Sequence, residues 1–127
     1  MTGGSSDDIS IGVLRLGLQI PWARSLKDGR QVVRSLRDRV HHRFDVSFHE
    51  IPTHSGPTRR TLVITTAGND ARTIRSILDR VVRFVETSGK CQLWQVDVDV
   101  FRWHPPERAW YVGDDVSAGL IDDQEDG

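Results

Sequence analysis

The stretch ISIGVLRLGLQIPWARSLKDGRQVVRSLRDRV, residues 9–40, changes its hydrophobic period in the middle. Over residues 9–20 the positions alternate, with Leu14, Leu16, Leu18 and Ile20 on one face and Val13, Arg15, Gly17 and Gln19 on the other. That period of two marks a strand with one buried face. Pro21 stops it, and Ser25 followed by Asp28 has the capping-box spacing that opens a helix. Leu26, Val33, Leu36 and Val40 then recur at helical spacing and are expected to face the core. A strand running into an amphipathic helix is the first half of a β-α-β unit.

Working outward, RFDVSFHEI (residues 43–51) and RRTLVITT (59–66) read as two further strands, separated by the turn-rich PTHSGPT, which suggests a hairpin with a long loop. Gly68 and Asn69 break the third strand, and Asn69 or Asp70 is positioned to cap a second helix. Its apolar stripe is Ile74, Ile77, Leu78, Val81 and Val85, and it ends by Gly89. In QLWQVDVDVF (92–101), Trp94, Val96, Val98 and Val100 alternate with Gln95, Asp97 and Asp99. The order is β-α-β-β-α-β. Two helices cover one face of four strands, so the expected fold is α+β: a ferredoxin-like two-layer sandwich with a four-stranded antiparallel sheet. The expected boundaries are a disordered N-terminus (1–8), the ferredoxin-like domain (9–103) and an acidic, flexible tail (104–127) in which Trp110 and Tyr111 are a docking spot.

The totals narrow the function classes. No apolar run in the 127 residues approaches the roughly 20 that a membrane helix needs. The N-terminus has neither a basic n-region nor an apolar h-region, so cytoplasm is the expected location. Cys91 is the only cysteine, which excludes an intramolecular disulfide and a cysteine-rich zinc site. The net charge of -1 hides an asymmetry: residues 9–104 carry +7, whereas residues 105–127 carry -6.

The block Pro21, Ser25-Leu26-Lys27-Asp28, Arg30, Val32-Val33-Arg34-Ser35-Leu36 and Asp38-Arg39, followed by Arg43-Phe44 and Val46-Ser47, resembles the YlxP-like proteins, the bacterial domain-of-unknown-function 503 family. The resemblance covers about three quarters of the chain and ends near residue 101. It implies a ferredoxin-like fold and a family whose members often lie beside genes for translation initiation and ribosome maturation. No enzymatic activity or defined active site comes with it. The chain departs from the family at Gly29, where relatives tend to have Lys, and in its acidic tail.

Lys27, Arg30, Arg34 and Arg37 stand three or four residues apart and form one stripe on the first helix, continued by His41. Arg24 before the helix, and Arg59 and Arg60 at the start of the third strand, extend the patch if they fold onto the same side. Two readings follow. The stripe binds RNA phosphates, with ribosomal RNA or a ribosomal subunit as partner, or it is a solvated face whose local Asp–Arg pairs contribute a few tenths of a kcal/mol each. The uncovered sheet face is expected to present Arg15, Gln19, Ser47, His49, Thr61, Val63, Thr65, Asp97 and Asp99. With no aromatic on the central strands it does not suit base stacking. Arg15 beside Asp97 or Asp99 reads as a cross-strand ion pair, and the mixed face suits a homodimer. The five histidines lack metal-ligand spacing and no catalytic motif occurs, so no metal, cofactor or catalytic residue is expected. The tail covers the basic stripe, docks a protein partner or merely solubilises the chain.

Overall fold

The computed structural model describes residues 8–53 and 56–105. The tail beyond Pro105, with Trp110 and Tyr111, and all of the N-terminal segment but Asp8 lie outside the described residues. The element order is β1 (Ser10–Gln19), α1 (Leu26–Arg43), β2 (Ser47–Ile51), β3 (Arg59–Gly68), α2 (Ala71–Glu86) and β4 (Gln92–Arg102). The strands form one sheet in the order β2-β3-β1-β4, with every neighbouring pair antiparallel. This is the expected ferredoxin-like sandwich.

Leu14, Leu16 and Leu18 of β1, with Leu62 and Ile64 of β3, are fully buried beneath the helices. Val32, Val33, Leu36 and Val40 of α1 meet them from above, as do Ile74, Leu78, Val81 and Val85 of α2. Each fully buried side chain of this size contributes about 2 kcal/mol. The helix starts are built as expected: Ser25 Oγ accepts from Asp28 N at 3.2 Å, and Asp28 Oδ2 accepts from Arg24 N at 2.9 Å. At α2 the cap is Asp70, which accepts from Arg72 N and Thr73 Oγ1.

Three expectations are corrected. Leu26 is 56% exposed, so the first position of α1 does not join the buried face of the helix. Helix α1 continues to Arg43, so β2 starts at Ser47 and Phe44 caps the helix instead of opening a strand. Most consequential is a β-bulge. Gly17 pairs with Gln95 and Leu18 with Leu93, leaving Trp94 as the extra residue. The bulge turns its indole onto the open sheet face, where a Cβ at Gly17 would stand 2.7 Å from the ring. Only a glycine leaves room there.

Candidate nucleic-acid interface

The buried residues Gly29, Val32, Val33, Leu36 and Val40 fix which side of α1 meets the core. At about 100° per residue, Lys27, Arg30, Arg34, Arg37 and His41 fall on one flank, and Arg39 and Arg43 on the opposite one. His41 meets Phe48 of β2 edge-on at 6.1 Å, which sets the first flank above the edge strand. All four stripe cations are exposed. Among the described residues Lys27, Arg30 and Arg34 have no ion pair, and Arg37 comes only within 3.9 Å of Asp38. Arg24 is exposed just ahead of the stripe.

Arg59 and Arg60 do not join this row, because neighbours on a strand point to opposite faces. Arg60 lies on the helix side. Its side chain is 11% exposed, pairs with Glu50 at 2.6 Å and donates to the Leu26 carbonyl at 2.7 Å. A Cβ at Gly29 would stand 2.5 Å from the same guanidinium, so the helix gives up a side chain to admit it. Arg60 is thereby committed to tying β3 and β2 to the first turn of α1. Arg59 is on the open face, stacked over Trp94 at 4.7 Å and donating to Gln19 Oε1 at 3.0 Å. The expected cross-strand pair forms farther along the same face, with Arg15 Nη2 at 2.8 Å from Asp97 Oδ2. The bulge adds Trp94 to the aromatic Phe101 that alternation already places on this face, and Trp103 is exposed just past the end of β4.

A second cationic group gathers on the far flank of α1. Phe44 and Phe84 touch edge to face at 5.9 Å. Arg43 and Arg39 lie over Phe84 at 5.0 and 5.6 Å, and Arg80 lies over Phe44 at 5.6 Å. Arg83 lines the same hollow. The sequence signal for this group is the Arg39–Arg43 spacing opposite the stripe, which a helix ending at Val40 conceals. The two helices together hold ten Lys and Arg against four Asp and Glu, a formal +6, whereas the four strands hold +1. The positive charge of the domain is a property of its helical layer.

Burial pushes the Cys91 thiol up to about 11. The sign follows from desolvation, which penalises the thiolate. At pH 8, Cys91 of the folded protein is expected to react with iodoacetamide at least about tenfold more slowly than the same chain in denaturant, since the raised pKa cuts the thiolate fraction and the greater nucleophilicity of that thiolate offsets only part of the loss. Equal rates in mass-spectrometric time courses would contradict that burial. Among the described residues no three His, Cys, Asp or Glu converge as metal ligands, and no helix is long and apolar enough to cross a membrane.

Fold and surface together define a ferredoxin-like α+β domain with a cationic helical layer and an open sheet. The chain belongs to the family described as Protein of unknown function (DUF503), which matches residues 11–98. No curated protein matches it in sequence. Among solved structures it is similar to the de novo designed protein Foldit4, at 15% identity over 77% of this chain and 99% of that one, with a TM-score of 0.44. The designed ferredoxin-fold protein LFR1 1 is 11% identical over 83% of this chain and 94% of its own, with a TM-score of 0.43. SnoaB, a cofactor-independent oxygenase from Streptomyces nogalater, is 8% identical over 80% and 99%, with a TM-score of 0.41.

Proposed function

We propose that this protein is a non-catalytic, cytoplasmic RNA- or ribosome-associated factor that holds the phosphate backbone on its helical layer. The observation that carries the reading is the stripe Lys27, Arg30, Arg34 and Arg37. It is exposed, lies along one flank and, among the described residues, lacks carboxylate partners closer than Asp38. A row of this kind supplies register-independent phosphate contacts and no base readout. Arg24 extends it by one cation.

The test is binding of a fluorescent oligouridylate followed by anisotropy across a potassium chloride series. Four phosphate contacts predict that log K falls with log salt at a slope of about -3, at roughly -0.7 per contact on a single strand. A slope flatter than about -1 would sink the reading, since one contact or fewer accounts for it.

A second reading rests on the open sheet, where Trp94, Phe101 and Trp103 are each more than 40% exposed. Such a face suits a second copy or another protein, with the tail as an additional docking segment. Sedimentation of the protein alone across the same salt series tests it, because association through apolar sheet packing is nearly indifferent to salt.

A further inference from the structure

We propose that Arg39, Arg43 and Arg80, stacked on the Phe44–Phe84 pair, form a phosphate clamp for the backbone of single-stranded RNA; the site deepens the RNA-binding reading above and rests on it. A guanidinium laid over an aromatic ring is held by cation–π attraction with its N–H rim directed outward. Here three guanidinium carbons lie 5.0 to 5.6 Å from ring centroids, and all three arginines are exposed. Among the described residues none of the three donates a side-chain hydrogen bond or forms an ion pair. The contrast is with Arg15, Arg60, Arg75 and Arg102, each of which has a carboxylate partner. These arginines are therefore positioned but uncommitted, the state that a bidentate phosphate contact uses most directly.

Helix dipoles explain part of the group and not the rest. A cation in the last turn of a helix is favoured by about 0.3–1 kcal/mol, which accounts for Arg43 and Arg83. Arg39 and Arg80 precede those turns, so their convergence on the same ring pair is like-charge crowding that an anion relieves. Two shallow hollows meet here and share Arg43 and Phe84. The first is completed by Phe44, Arg80, Arg83 and Thr87, the second by Asp38, Arg39 and His42. Asp38 is the single carboxylate among these lining residues, and its nearest cation is Arg37 on the other side. Adjoining hollows divided by one arginine suit successive phosphates of one strand. Their openness disfavours a lone small phosphate, which gains nothing from the stripe across α1, whereas a polymer engages both flanks and gains effective concentration at the second.

The test compares the full chain with R39Q/R43Q/R80Q and with Phe84→Leu, each first shown to keep its circular dichroism and melting transition. With the clamp engaged, the wild-type salt slope for oligouridylate steepens to about -5, and the triple Gln variant loses about 2 of it, at roughly -0.7 per contact. Its affinity at low salt falls at least tenfold. Phe84→Leu retains every charge and is expected to weaken binding about three- to fivefold with the slope preserved, because it removes the ring against which Arg39 and Arg43 lie. Unchanged affinity and slope in the triple variant overturn the clamp while leaving the stripe reading intact. If the wild type binds no oligouridylate, the RNA reading fails and the clamp, which rests on it, falls with it.

Discussion

Arg60→Ala lowers stability by about 2–3 kcal/mol, the largest loss expected from any single charged side chain in the domain. The range is set below the 3–5 kcal/mol for stranding one partner of a fully buried pair, since Glu50 is 26% exposed and recruits some water. Arg60 also supplies the Leu26 carbonyl with a donor at 2.7 Å, and that carbonyl loses its partner. For a domain of this size the melting temperature drops by about 10 °C or more. Urea denaturation checks the value, and a loss under about 0.5 kcal/mol, the ordinary range for surface changes, shows that the pair is not structural. Two companions sharpen the result. Replacing Arg60 and Glu50 together by Met restores part of the loss, because the stranded carboxylate is gone. Gly29→Ala withholds the roughly 1 kcal/mol that Ala ordinarily brings to a helix interior, since its Cβ meets the guanidinium.

That triangle of Gly29, Arg60 and Glu50 shows where the sequence was legible and where it stopped. The alternation rule already separates Arg59 from Arg60, so only one of the two was ever available to the helix stripe. A mid-helix glycine likewise signals that something comes close, but the identity of the visitor is a tertiary fact, set by the β2–β3 register that pairs Glu50 with Leu62. The strand-to-helix switch at Pro21, both N-caps and the Arg15–Asp97 pair follow from local pattern, because each depends on neighbours in sequence or on a register fixed by one buried face. The bulge at Trp94 does not. Leu93 and Trp94 are both apolar, so the alternation reads equally well with the parity slipped by one, and only the pairing with Gly17 and Leu18 reveals which of them crosses to the open face. The Arg39–Arg43 flank is obscured by the helix boundary, which lies three residues beyond the last apolar position at Val40, as helix ends are the least determined part of any periodic pattern.

Reversing the stripe, as R30E/R34E/R37E, is expected to reduce oligouridylate affinity by nearly a thousandfold at low salt. Each exposed contact contributes about 1 kcal/mol at 4 Å in water. Three contacts are lost and three repulsions of similar size replace them; even after partial screening about 4 kcal/mol remains, at 1.4 kcal/mol per tenfold. Stability should move by no more than about 0.5 kcal/mol, because all three side chains are exposed and away from the core. The single variant Arg34→Glu separates the two readings of the stripe most cleanly. Arg30 and Arg34 are like charges at i,i+4, an arrangement that costs a helix a few tenths of a kcal/mol. The substituted carboxylate would face Arg30 and Arg37 with opposite charge, so the variant is expected to gain a few tenths in urea denaturation while losing about tenfold or more in RNA affinity. If the row were only a solvated face, stability would rise with no loss of binding, and the like-charge arrangement would have no counterpart to explain it. Opposite signs in the two measurements locate the reason for the row in what it contacts, not in how the helix folds.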